Sequence, residues 1–195
     1  MDFSAMILYI VVSMITPGPS NLMTLYCTLH YGLRGAMKYM VGSSTGFVVR
    51  IFFCGALNVL LARVIPVVVP YLKWVGAAYM VYLALHMLRA GFREQQEGEE
   101  SGGESTFMSG IILQCFNMKG WVSSLVIYSV YVVPYTTAFA TIVLVALLTS
   151  AVMIASTAIW ALCGNAFRRV YAAHSKLFSV IMSLSLIYCA ITALK

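Results

Sequence analysis

Charge is what this sequence has least of. Only 9% of its 195 residues are charged, while 62% are hydrophobic and the mean hydropathy is +0.92. A typical soluble domain has about 25% charged and about 45–50% apolar residues. A water-soluble fold of this length cannot bury so much apolar surface, which argues against a soluble enzyme and against a nucleic-acid-binding domain. The composition instead predicts a chain whose solvent is the lipid bilayer.

Carboxylates and paired cysteines are also missing from the apolar segments. Asp2 starts the chain, and the other five acids are glutamates within residues 94–104. The five cysteines occur singly, without a C-x-x-C pair or a Cys/His cluster at metal-ligand spacing. No nucleophile–base pair or phosphate-binding loop is recognisable either. We therefore expect no metal or other cofactor, and any cation inside the membrane must find a partner other than an acid.

The apolar runs that remain predict an all-α integral membrane protein with six spans. The predicted spans are residues 3–26, 39–62, 67–89, 107–133, 137–163 and 177–194. Charged or proline-containing loops are expected at 27–38, around Arg63 and Pro66, and at 164–176.

The basic residues give this arrangement an orientation. The odd-numbered loops hold seven of them, against Arg63, Lys73 and Lys195 on the other side. Those seven are Arg34, Lys38, Arg89, Arg93, Arg168, Arg169 and Lys176. Because cytoplasmic loops carry the excess of Lys and Arg, both chain termini are predicted to be periplasmic.

The chain also divides into two halves. A Glu- and Gly-rich linker, residues 90–106, separates residues 1–89 from residues 107–195. Each half has three predicted spans, so the two halves must enter the membrane from opposite sides, as in inverted-repeat transporters. Thr16–Ser20 interrupts span one and Phe116–Gly120 interrupts span four, in corresponding positions. Spans one and four are therefore predicted to be broken helices.

Pro17-Gly18-Pro19 should break the first span. Each proline lacks an N–H, so the carbonyls of Ser13 and Ile15 lose their helical partners. The N–H groups that begin the second half of the span can bind a carboxylate, and Ser20 and Asn21 add side-chain donors. A simple kink that helps the helices to pack is the alternative.

Two cations lie deep in the predicted spans. A lysine at Lys119 costs about 2.5–3.5 kcal/mol in the membrane, and it must reach water, carbonyl groups or an anionic substrate. Asn117 beside it offers both a donor and an acceptor. Two interpretations of Lys119 are open: a ligand of a substrate carboxylate with a proton role, or a side chain that snorkels to the interface. Arg50 faces either the same cavity or water.

The predicted substrate-binding residues form one set, and a small-residue pair lies near them. That set is Pro17, Gly18, Pro19, Ser20, Asn21, Arg50, Asn117 and Lys119. Gly42 and Gly46 form a G-x-x-x-G pair, which predicts a close helix–helix contact within the subunit or in a homo-oligomer.

These motifs resemble those of the LysE/RhtB family of bacterial amino-acid exporters. The resemblance rests on Thr16–Pro19 with Asn21, on Trp74–Tyr79, and on Asn117-x-Lys119, and it covers essentially the whole chain. It implies an inner-membrane efflux carrier for small amino acids or derivatives of the cysteine and O-acetylserine class. It further implies transport driven by protons, as in an antiporter.

The sequence departs from the family pattern at two positions. Met118 stands where many members have a proline, and Phe47 stands where many have an acid. Without that acid, protons would have to be carried by Lys119, a histidine, the substrate or water. Two other functions remain open. An integral-membrane thiol oxidoreductase would need paired cysteines, and a channel or scaffold subunit would show no saturable transport.

Overall fold

The chain is helical throughout the part that the structure describes. The computed structural model describes the backbone of residues 2–92 and 105–194, and the side chains of all of these except 59–70, 72, 90 and 91. Residues 93–104 of the predicted linker therefore lie outside the described residues. The described helices are α1 Phe3–Ile15, α2 Pro19–Ala56, α3 Asn58–Phe92, α4 Phe107–Phe116, α5 Met118–Tyr131, α6 Phe139–Ala173 and α7 Ser175–Leu194.

Both predicted helix breaks are confirmed. Helix α1 ends at Ile15, and α2 begins at Pro19, the first helical position, where a missing N–H costs nothing. Helices α4 and α5 meet at Asn117 with a bend of 62°. The Asn117 side chain accepts a hydrogen bond from the Gly120 N–H at 3.2 Å and so caps α5. The second break therefore uses an asparagine cap where the first uses prolines.

The helix lengths and compositions define a multi-pass membrane protein. Within residues 2–92 and 105–194, α2, α6 and α7 are each long and apolar enough to cross a membrane. The bent pair α4 and α5 passes the same test as one broken span. Helix α1 is apolar but only 13 residues long. The count of six spans and their repeat topology stay predictions.

The predicted loop at residues 27–38 is wrong. These residues are helical within α2, which departs from helical geometry only at Gly32, where φ is 68°. The loop was inferred from His30, Arg34 and Lys38, but Lys and Arg are good helix formers and do not end a helix. Gly32 interrupts the helical geometry here because glycine adopts positive φ at little cost.

Two further predicted loops are shorter than expected. Residues 164–173 continue α6, and only His174 separates α6 from α7. The expected separation around Arg63 and Pro66 is also absent, because α2 ends at Ala56 and α3 already begins at Asn58. At α6 the helix runs on past the apolar stretch, as basic residues permit. At the second place the turn lies at Leu57, earlier than expected, and α3 runs through Arg63 and Pro66.

Helix α2 is the central element, packed against both α4 and α6, while α3 packs on α7. A Cβ atom on Gly42 would overlap the Phe107 carbonyl oxygen of α4, and one on Gly110 would overlap the Tyr39 carbonyl oxygen of α2. On Gly46 it would lie 3.0 Å from Gln114 Cβ. The contact predicted from Gly42 and Gly46 is thus confirmed, and it lies within the chain.

We expect Gly42→Ala to lower the thermal unfolding temperature in detergent, because the added methyl must force α2 and α4 apart. Overpacking of this kind costs about 1–3 kcal/mol. The control is Thr45→Ala on the exposed face of α2, which removes an exposed methyl group and a hydroxyl bonded to the Val41 carbonyl of its own helix. An unchanged unfolding temperature for Gly42→Ala would contradict the close crossing.

Candidate functional site

Both helix breaks border one small cavity inside the bundle. Its volume is about 40 Å³, the room of a few water molecules. The lining residues come from α1, α2, α4, α5, α6 and the two breaks: Ser13, Met14, Gly18, Ser20, Asn21, Phe47, Arg50, Gln114, Asn117, Lys119, Gly120, Ser123 and Met153. Six of the eight predicted site residues are therefore brought together, and Pro17 and Pro19 flank Gly18 beside them.

The carbonyls freed by the prolines are taken by side chains. The Ser13 carbonyl accepts from Thr16 Oγ1 at 3.2 Å, and the Ile15 carbonyl accepts from Trp160 Nε1 at 3.1 Å. The Met14 carbonyl accepts from Asn21 Nδ2 at 2.9 Å and from Ser156 Oγ at 2.8 Å. The predicted loss of helical partners at residues 13 and 15 is therefore matched by new partners.

Lys119 lies against the end of α1. Its Nζ donates to the Thr16 carbonyl at 2.9 Å, to Thr16 Oγ1 at 3.1 Å and to the Pro17 carbonyl at 3.4 Å. A cation at the carbonyl end of a helix is favoured by the helix dipole. Of the three partners considered for Lys119, carbonyl groups are the ones present. A Cβ on Gly18 would lie 3.1 Å from Lys119 Cδ, so the glycine keeps room for this side chain.

Arg50 occupies the corresponding place at the end of α4. Its Nη1 donates to the Gln114 carbonyl at 2.9 Å and to Gln114 Oε1 at 2.7 Å. The side chain is 4% exposed, and its guanidinium lies 5.0 Å from the centre of the Phe47 ring. Its Nε has no hydrogen-bond partner among the described residues. Arg50 thus faces the cavity and not water, which decides between the two interpretations.

Gln114 is the site residue that the sequence analysis missed. Its Nε2 donates to Ser20 Oγ at 3.1 Å and to Ser43 Oγ at 2.9 Å, and those two hydroxyls lie 2.9 Å apart. One amide therefore connects Arg50 to the beginning of α2. Gln114 is a long polar side chain in an otherwise apolar span, and this is the sequence feature that could have marked it as a site residue.

Short hydroxyls and an indole on neighbouring helices were also missed. Ser13 and Ser123 lie 2.7 Å apart across the cavity, and Ser156 and Trp160 reach the end of α1 from α6. Single serines and tryptophans are common in membrane helices, so no pattern in the sequence marks these four residues.

The cavity has an electrostatic character suited to an anion. Its lining includes the side chains of Arg50 and Lys119, and no lining residue is acidic. The first turn of α2 adds backbone N–H groups at Ser20 and Asn21, which have no carbonyl within the helix to bond. Helix N-termini carry partial positive charge, so α2 and α5 add to the field of the two cations.

A polar cavity between interrupted helices of a multi-pass membrane protein is typical of secondary transporters. The chain belongs to the LysE type translocator family, whose model matches residues 11–195. It is therefore a transporter and not an enzyme, as the sequence resemblance implied.

The chain is similar to curated proteins from enteric bacteria. It is 30% identical to the cysteine/O-acetylserine efflux protein of Escherichia coli (strain K12) over 188 residues, 96% of this chain and 95% of that protein. The protein of the same description from Shigella sonnei (strain Ss046) matches with the same identity and coverage. No solved structure matches the chain.

We expect Gln114→Leu to destabilise the protein because it leaves Arg50 buried without its side-chain acceptor. A buried hydrogen bond to a charged group contributes about 1.5–3 kcal/mol. The double variant Gln114→Leu/Arg50→Leu should recover much of that loss. The measurement is unfolding in mixed detergent micelles, analysed as a double-mutant cycle with Arg50→Leu. Additive effects of the two substitutions would show that the two side chains do not interact.

Proposed function

We propose that this protein exports small amino acids or derivatives of the cysteine and O-acetylserine class from the cytoplasm across the bacterial inner membrane, driven by protons. The observation that carries the proposal is the cavity with two cations and no acid, in which Lys119 is bonded only by neutral oxygens. The relatives described as cysteine/O-acetylserine efflux proteins support the substrate class.

In this proposal the substrate carboxylate replaces the oxygens at the end of α1 as the hydrogen-bond partner of Lys119. It accepts from Lys119 Nζ and from the N–H groups of Ser20 and Asn21 at the start of α2. The Pro17 carbonyl is then free to accept from the substrate ammonium, and the Thr16 carbonyl, which keeps its bond from Asn21 Nδ2, can accept a second bond. The substrate carboxylate gains charge-assisted hydrogen bonds in this cavity, and such bonds are about twice as strong as neutral ones.

The remaining predicted residues shape this site. Pro17 and Pro19 keep the break open, and Gly18 leaves space for the Lys119 side chain. Asn21 Nδ2 holds the break by donating to the Met14 and Thr16 carbonyls at 2.9 and 3.1 Å. Asn117 and Arg50 complete the lining. A cavity of about 40 Å³ is too small to hold an amino acid, so the site must widen during transport.

Each half of the chain supplies a cation that bonds the helix end at the break in the other half. This reciprocal arrangement supports two inverted three-span repeats, 1–89 and 107–195, joined by the linker 90–106. Lys119, from the second half, bonds the end of α1, and Arg50, from the first half, bonds the end of α4. Asn21 and Trp121 each donate back across their own break, Trp121 to the Cys115 carbonyl at 2.9 Å. Rocking of one half against the other would give alternating access.

The transport test uses inside-out membrane vesicles from cells that overproduce the protein. We expect saturable uptake of labelled cysteine and O-acetylserine when a proton gradient is imposed, and its collapse with an uncoupler. Threonine, homoserine, leucine and lysine serve as comparison substrates. Non-saturable flux would indicate a channel, and no flux of any of these through inserted protein would contradict amino-acid export.

We expect Lys119→Met to abolish this uptake while the protein still inserts, because the variant removes the only mobile cation proposed to bind the carboxylate. The matched control is Lys176→Met at the start of α7, which should transport as the unaltered protein does. Insertion is checked by immunodetection in the membrane fraction. Full uptake by Lys119→Met would refute the role of this lysine.

The orientation is tested by labelling single cysteines in a background whose five native cysteines are alanine. Ser4→Cys should react with a membrane-impermeant maleimide in intact cells permeabilised only at the outer membrane. Lys176→Cys should react only in inside-out vesicles, because this end of α7 is predicted to be cytoplasmic. The reverse pattern would invert the topology.

A further inference from the structure

A second pocket lies between the part of α2 just before Gly32 and the end of α6. Its lining residues are Leu29, His30, Asn165, Arg168, Arg169, Tyr171 and Ala172, and its volume is about 610 Å³. It shares no residue with the cavity at the breaks. None of the described residues that line it is acidic, and the two arginines give it a positive charge. We propose that this pocket binds the phosphate group of an anionic phospholipid.

The position of the arginines along α6 places them at headgroup level. Residues 139–167 of α6 contain no charged side chain, and Arg168 and Arg169 follow immediately. At 1.5 Å per residue this uncharged stretch is about 43 Å long. A bilayer including its headgroup regions is about 40–45 Å thick. The guanidinium groups therefore reach the depth at which lipid phosphates lie.

The kink in α2 creates the room for one of these guanidinium groups. Gly32 has φ of 68°, and a Cβ there would lie 3.1 Å from Arg168 Nη1. Glycine therefore serves both the backbone conformation and the close approach of Arg168. The guanidinium lies against the carbonyl end of the helical residues 19–31, where a cation is favoured by the helix dipole.

A fixed polar floor closes the inner side of the pocket. The Tyr171 hydroxyl is 2.7 Å from His30 Nε2, and Tyr171 is 3% exposed. The His30 ring also lies 4.2 Å, centre to centre, from the Tyr26 ring. These contacts hold the floor in place without using Arg168 or Arg169, both of which are exposed.

The surface beside the pocket is suited to acyl chains. Phe167 and Val170, which flank the arginines on α6, are 54% and 48% exposed. Basic pockets between transmembrane helices commonly bind anionic lipid headgroups. A phosphatidylglycerol phosphate can pair with the arginines bidentately while its chains lie along this apolar surface. A choline headgroup would bring a cation toward the same arginines and is therefore disfavoured.

The test measures lipid binding to the purified full chain in detergent by native mass spectrometry. Phosphatidylglycerol, phosphatidylcholine and inorganic phosphate are titrated separately against the unaltered protein and three variants. Arg168→Gln/Arg169→Gln should weaken phosphatidylglycerol binding about 30-fold, the factor expected from two basic contacts at an anionic surface. Arg168→Lys/Arg169→Lys should weaken binding less than the glutamine pair, because lysine keeps the charge but loses the bidentate geometry. The matched control Arg34→Gln/Lys38→Gln, which removes two exposed cations outside the pocket, should retain it too.

Three outcomes would overturn the proposal. Equal losses in the two glutamine pairs would show a general surface-charge effect. Phosphatidylcholine binding as tight as phosphatidylglycerol binding would show that the arginines do not select the lipid. Competition by inorganic phosphate at comparable concentration would assign the pocket to a free phosphate. Because the measurement is binding and not flux, its result is independent of the transport proposal.

Discussion

The constraint on which this structure depends is that hydrocarbon offers no hydrogen-bond partner for the backbone groups at a helix break. Each helix interrupted inside a membrane leaves carbonyls that must be bonded by protein groups. At the end of α1 those groups come from Thr16, Asn21, Lys119, Ser156 and Trp160. At the end of α4 they come from Arg50 and Trp121. The packing of α2 against α4 and α6 is what brings these donors into place.

The two cations meet this constraint in different ways. Arg50 is buried, and its Nη1 bonds both the carbonyl and the side chain of one residue, Gln114, which fixes its position. Lys119 is only half-buried, and its three acceptors are neutral oxygens of the α1 break. A single ammonium on a flexible stem exchanges partners more easily than a guanidinium held by two bonds. Lys119 is accordingly the better candidate to exchange a carbonyl for a substrate, and Arg50 the better candidate to keep the cavity in shape.

Sequence reasoning found the features that follow from local chemistry. Prolines at 17 and 19 dictate a break, and a lysine and an arginine without nearby acids dictate unusual partners, so both breaks and six lining residues could be predicted. It failed where tertiary packing decides. Basic residues at 34, 38, 168 and 169 suggested loops, yet the helices continue through them. Gln114 could not be singled out, because its role depends on Ser20, Ser43 and Arg50 meeting it from another helix.

The same bonds bear on how such a cavity can open. At the two breaks, the polar links between residues 1–89 and 107–195 are Gln114 to Ser20 and Ser43, Arg50 to Gln114, Lys119 to the α1 break, and single bonds from Ser123, Ser156 and Trp160 to α1. Elsewhere, Tyr171 bonds His30, and Ser183 donates to the Ala84 carbonyl. Each neutral bond contributes about 0.5–1.5 kcal/mol, and each charged one about 1.5–3 kcal/mol. A rearrangement that breaks a few of them and forms others costs little overall. The crossing of α2 and α4 is tighter, because Gly42 and Gly110 let the two backbones approach to where a Cβ atom would overlap a carbonyl oxygen. In the rocking motion proposed above, this crossing joins the two halves and would act as their pivot while the polar contacts at the breaks exchange.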